Sequence, residues 1–122
     1  MTKQRFDDWI AAYGKAWSTL APDAIMRLID KTDVTYYEST FNEPKKSWEE
    51  VNALWRVVPR NQKDVTFWHE IMMFDRSTVL THVKVARTMV PSGEEQNIDA
   101  AFIFKINEKG LCTYFRQWRM LQ

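Results

Sequence analysis

The stretch VTYYESTFNEP, Val34 to Pro44, sets one carboxylate, Glu38, directly behind two tyrosines and three residues ahead of Phe41. Residues of these types can do proton chemistry. A carboxylate among rings can take a proton from carbon beside a carbonyl, and a phenol can donate to the oxyanion that develops. Period-two alternation puts Tyr36 and Glu38 on one side of a strand and Tyr37 on the other. Glu38 fits three roles: a general base in a pocket, a surface or capping residue, or an ion-pair partner of Arg119. Tyr13 and Trp17 lie one helical turn apart and face the same way, either lining a cavity or filling core. Trp55 and Phe41 stand under the same alternative. His69 alternates with Phe67 and Ile71 and so points inward, as a satisfied core histidine or a catalytic one. His82 shares a face with Lys84 and belongs outside. No His/Asp/Glu/Cys cluster has metal-ligand spacing, so no metal is expected. Cys112 has no base beside it in sequence and is expected as a packed thiol. Without a glycine-rich phosphate loop, no nucleotide or other cofactor is implied.

The chain that must position these groups has 122 residues, enough for one core, and residues 1–122 are expected to form a single domain. Its 17 Lys+Arg against 16 Asp+Glu are scattered rather than blocked. Such a balance lacks the basic footprint that phosphate contacts need, so no nucleic-acid partner is expected. No apolar run is long enough to span a bilayer. The start, MTKQRFDD, has no apolar signal core and the cysteine is single, which together imply a cytoplasmic protein without a membrane partner.

Phe6, Trp9, Ile10, Tyr13, Trp17 and Leu20 recur at three and four residues, the pattern of an amphipathic helix, with Gly14 inside it as a site of close packing. Pro22-Asp23 restarts a helix carrying Ile25, Leu28 and Ile29. A short strand is expected at Val34–Glu38. Ser47 and Glu50 make a capping box for a third helix through Val51, Leu54, Trp55 and Val58, ending at Pro59. Beyond Asn61, residues 65–74, 78–90, 97–107 and 111–120 are β-branched and aromatic runs separated by short turns, hence antiparallel hairpins. Helices first and a meander afterwards imply an α+β fold. The N-terminal helices would pack on a curved, mostly antiparallel sheet, forming a cone-shaped barrel.

A cone not plugged by side chains is a small-molecule pocket. Alternation places Phe102, Phe104 and Ile106 on one face of their strand, and Thr113, Phe115, Gln117 and Arg119 on one face of the last, opposite Cys112, Tyr114, Arg116 and Trp118. The expected lining is Tyr13, Trp17, Tyr36, Phe41, Trp55, His69, Val83, Phe102 and Phe115, with Gln117 and Glu38 as polar members. Its ligand would be flat, mostly apolar, partly oxygenated and of drug-like size. Rings on the opposite face, with Ile103, Tyr114 and Trp118, imply a homodimer.

YGKAW at Tyr13–Trp17, YYESTFNEP at Tyr36–Pro44, VPSG at Val90–Gly93, and the run from Asp99 to KGLCTYFRQW together resemble the nuclear transport factor 2-like superfamily, in its SnoaL-like (polyketide-cyclase-like) branch. The similarity covers Trp9 to Trp118. It implies the α+β cone and a dimer through the convex sheet, but not one activity, since the superfamily includes ketosteroid isomerase, scytalone dehydratase, polyketide cyclases and members without a known reaction. In ketosteroid isomerase a helix-one tyrosine donates to the substrate oxyanion and an aspartate ending the first strand is the base. Tyr13 and Glu38 stand at the similar positions. The isomerase's second, protonated acid has no counterpart: the matching position is Phe102, and Asp99 falls on the opposite face. Gln117 stands where the branch pattern carries a glutamate. Three functions follow as alternatives: a cofactor-free proton-transfer enzyme (isomerase, cyclase or dehydratase type), a non-catalytic ligand-binding module, or a dimerisation module with a filled cone.

Overall fold

The computed structural model describes residues 2–39 and 41–122. The three-and-four spacing winds Lys3–Ser18 into a helix, α1, whose buried stripe includes Phe6, Trp9, Ile10, Tyr13 and Trp17. Thr2 caps it by accepting from the Arg5 amide at 3.3 Å. Gly14 lets α1 lie against the sheet: a Cβ there would come within 2.2 Å of the Phe67 ring. Helix α2 follows at Pro22–Met26, then the short strand β1 at Thr35–Tyr37. The expected capping box starts α3, Trp48–Arg56, with Ser47 Oγ accepting from the Glu50 amide at 3.1 Å and donating to Glu50 Oε1 at 3.2 Å. This helix stops sooner than expected. The chain bends at Val57, and Pro59 sits in the first turn of a separate short helix, α4, Val58–Asn61, where its missing N–H has no helical partner to lose.

The hairpin strands are β2 (Gln62–Asp75), β3 (Thr78–Met89), β4 (Glu95–Ile106) and β5 (Cys112–Leu121). Their order is β1-β5-β4-β3-β2, antiparallel except that β1 runs parallel to β5 along the edge. Register shifts in β2 between Lys63 and Thr66 and between Ile71 and Met73 bend the sheet around α1. The result is the expected α+β cone. Its inner face carries Val79, Val83 and Val85 from β3 and Ile98, Ala100, Phe102, Phe104 and Ile106 from β4, all buried. One expectation fails at Cys112, placed opposite Phe115 by strict alternation. A register slip between Lys105 and Ile106 pairs Ile106 with Cys112, and both Cys112 and Phe115 are fully buried. Among the described residues, no helix is long and apolar enough to cross a membrane.

Candidate functional site

Most of the cone is solid. Tyr13 lies on α1 at the centre of a ring cluster, stacked on Trp9 at 5.3 Å and Phe115 at 5.5 Å, with Trp55 and Phe102 edge-on at 5.7 and 6.1 Å. Tyr36 also stacks on Phe115, at 4.5 Å. Space remains at one end, where the last turn of α1, α3, α4 and the outward ends of β3 and β5 leave a cleft of about 240 Å³. Its walls bring together Tyr13, Trp17, Tyr36, Glu38, Trp55 and Gln117 of the sequence expectation, and add Asn61, Gln62, Arg87 and Arg119.

Five of the residues expected to line it do not. Val83, Phe102 and Phe115 are sealed in the core behind it, at 1% exposure or less. They face inward as alternation required, but other rings cover them. Phe41 is 97% exposed. The loop carrying it is closed by a bridge in which Tyr36 and Lys45 exchange backbone hydrogen bonds of 2.8 Å, and Phe41 lies out on that loop rather than in the cone. His69 is a fifth departure. It sits in the seam between α1 and β2, 2.9 Å from Asp7 through Nε2, outside the cleft. His82, placed outside by the sequence, meets Asp99 at 2.7 Å on the outer face.

The cleft's floor is polar in a specific way. The Tyr13 and Tyr36 hydroxyls are 2.8 Å apart and either can donate. Burial, then the neighbouring Tyr36 phenol, drives the Tyr13 pKa well above its ordinary value. Burial likewise raises that of Tyr36, against the opposing effects of Tyr13 and Trp55. Both are therefore neutral donors at physiological pH, and one phenolic hydrogen is left after their mutual bond. Trp17 Nε1 donates to Gln62 Oε1 at 3.0 Å. Trp55 is 5% exposed and its Nε1 is buried without an acceptor. It lies near enough to the Tyr36 hydroxyl to act on it, but not in hydrogen-bonding geometry. Asn61 Oδ1, in the same wall, is also buried without a partner. Buried polar atoms ordinarily find partners, so two residues of one cleft wall that carry an orphaned donor and an orphaned acceptor mark it as the place for a polar ligand.

Charge gathers at the opening. Glu38, one residue beyond β1 and half-buried, is the only carboxylate in the wall among the described residues, and the alternative of an ion pair with Arg119 is not found among them. Arg87 is half-buried, and burial followed by the positive charge of Arg119 lowers its pKa. The two arginines escaped the sequence expectation as lining, although the signal was present. Arg87 continues the inward series Val83–Val85 by two residues, and Arg119 continues Phe115–Gln117. Larger depressions of about 560 and 570 Å³ lie beside Trp68 and Met120 and beside the β2–β3 turn. They are more open, and none of the orphaned buried polar atoms borders them.

Comparison with solved structures bears on this architecture. The chain is similar to the epoxide hydrolase/cyclase-like enzyme SalBIII, of pyran ring formation in the polyether salinomycin, with a TM-score of 0.83, 15% identity, and coverage of 97% of this chain and 92% of that one. It is similar to Δ5-3-ketosteroid isomerase from a Mycobacterium species (TM-score 0.81, 10% identity, coverage 97% and 98%). A Mycobacterium tuberculosis protein in complex with estradiol-17β-hemisuccinate also matches (TM-score 0.77, 14% identity, coverage 90% and 89%). No protein-family model matches the sequence, and no curated protein matches it significantly. At these identities the likeness establishes the fold alone, the α+β cone that these solved structures share.

Proposed function

We propose that the chain binds a small, mostly apolar ring compound in the open-end cleft and catalyses a cofactor-free proton transfer on it. The observation that carries this reading is the pairing of a lone carboxylate, Glu38, with neutral phenols in one cleft. Neither phenol can serve as a base near pH 7, because burial holds both protonated. Glu38 is therefore the base and the phenol pair the donor. The base takes a proton next to a ligand carbonyl, and the remaining phenolic hydrogen meets the oxygen as charge builds on it. At about 240 Å³ the cleft lies below the common span of about 300–1,000 Å³ for drug-sized ligands, so a one- or two-ring compound suits it better than the larger one expected from sequence. Ligand handling by the fold's neighbours, as in the estradiol-17β-hemisuccinate complex, supports binding in this class of cone.

Replacing Glu38 with Gln keeps the shape and removes the base. Turnover of a cyclic ketone substrate should fall about 10²–10⁴-fold while affinity is largely kept. Unchanged turnover in Glu38→Gln would eliminate the mechanism. A non-catalytic binding role is favoured instead by Phe102, which stands buried where the isomerase has its second acid. Tight binding without turnover of any cyclic carbonyl compound would establish that role.

The outer sheet face supports a homodimer. Trp68 on β2 and Trp118 and Met120 on β5 are at least 39% exposed on that face, apolar surface that a second copy would cover. Obligate interfaces bury about 2,000 Å² or more. Sedimentation at micromolar concentration should give the dimer mass, and Trp118→Glu the monomer mass.

A further inference from the structure

Arg87 and Arg119 differ from other cations on this sheet. Lys84 lies over the Trp68 ring at 5.3 Å, Lys105 over Tyr114 at 5.5 Å, and Arg116 between Tyr37 at 4.4 Å and Trp118 at 5.1 Å. Neither cleft arginine covers a ring, and among the described residues neither has a carboxylate within ion-pair distance. Gln96 Oε1 accepts from Arg87 Nε at 2.9 Å, which orients the guanidinium and leaves its terminal nitrogens to other partners. Two cations that feel each other's charge, one of them half-buried, thus border a cleft with a single acid on its rim. Partly desolvated positive charge of this kind is stabilised by an anion between the two groups, and a planar carboxylate matches the guanidinium fork. Independently, Trp55, in the wall of the same cleft, carries a buried Nε1 with no acceptor.

We infer that the ligand of this cleft is a ring carboxylate, its acid group held at the opening by Arg87 and Arg119 and its ring laid inward against Trp17 and Trp55, where Trp55 Nε1 donates to a second oxygen. This rests on the cleft reading above and adds the ligand's charge and orientation.

The test is a calorimetric titration of the full chain with 2-naphthoate and with 2-naphthamide, equal in shape and differing in charge. The inference expects the acid to bind about tenfold to a hundredfold more tightly at low ionic strength, the usual worth of a charge-assisted hydrogen bond. That advantage should shrink as salt screens the exposed part of the site. Arg119→Gln, at an exposed position, and Arg87→Gln should each reduce the preference for naphthoate, with Arg87→Lys retaining more of it than Arg87→Gln. Equal affinity for the two compounds, or an undiminished preference in both Gln variants, would overturn the anionic ligand and leave the cleft as a site for neutral ring compounds. Failure of both compounds to bind would overturn the inference together with the cleft reading on which it rests.

Discussion

The two faces of the sheet use the same residue types to opposite ends. Outside, aromatic rings are half in water and each has a cation above it, as with Arg116 over Tyr37 and Trp118 or Lys84 over Trp68. Inside, rings pack on rings, and the polar atoms they bring are matched to each other, as in the Tyr13–Tyr36 pair and the Trp17–Gln62 bond. In the outer arrangement these cations have rings as their partners. The inner one is ring-packed over most of the cone; in the cleft wall an indole N–H and an amide oxygen are buried without a partner, and among the described residues neither guanidinium group has a carboxylate partner. An incomplete polar set against a finished aromatic core is what distinguishes a binding cleft from packing.

Breaking the two faces separately should give unequal results. Phe115→Ala empties the space against which Tyr13, Tyr36 and Phe102 pack. It should cost about 3–5 kcal/mol of folding stability in urea titrations. Trp118→Glu on the other face should change the association state and leave the unfolding free energy of the separated chain within about 1 kcal/mol, as surface substitutions generally do. A smaller effect is expected where helix meets sheet. Gly14→Ala gains up to about 1 kcal/mol of helix propensity but places a methyl at 2.2 Å from the Phe67 ring, and overpacking of that order costs about 1–3 kcal/mol. The net should be a lowered urea midpoint of modest size, and a raised midpoint would show that Phe67 can move aside freely.

The least abrupt effect is a dependence on alkaline pH. Burial raises the pKa values of Tyr13 and Tyr36 from an ordinary 10.0 and pushes the Cys112 thiol up from 9.0 to about 12. Raised values mean that the folded chain holds protons which the unfolded chain gives up as pH exceeds those ordinary values. Stability from these groups is therefore full below about pH 9 and declines as pH climbs through 10 and beyond. Urea midpoints taken from pH 7 to 11 should be level at first and then fall. In Tyr13→Phe the alkaline decline should be shallower, since one of the three groups is gone.

The elements were legible because each has a local cause. The spacing of Phe6, Trp9, Tyr13 and Trp17 made α1, the Ser47–Glu50 box began α3, and the hairpins announced themselves by β-branched runs between turn residues. Alternation also identified the inward residues of β3 and β4 correctly. It could not say which inward residues meet a cavity, because that depends on how far α1 and α3 reach along the cone. Phe102 and Phe115 are covered by Tyr13, whereas Gln117, two residues further along the same strand, emerges into the cleft. Phe41 was misplaced because its loop bends outward at the Tyr36–Lys45 bridge, a non-local pairing that no period reveals. Cys112 was assigned the wrong face because one slipped register position inverts alternation.

The central claim, that the open end of the inner face is the binding site, is tested most directly by indole N–H resonances during a titration with 2-naphthoate. The six tryptophans are spread over both faces, with Trp17 and Trp55 in the cleft and Trp68 and Trp118 on the outside. The Trp55 Nε1–H signal should shift most, because it gains its first acceptor, with Trp17 following and with Trp68 and Trp118 unmoved. Shifts confined to Trp68 and Trp118, or none at Trp55 when binding is saturated, would contradict the account.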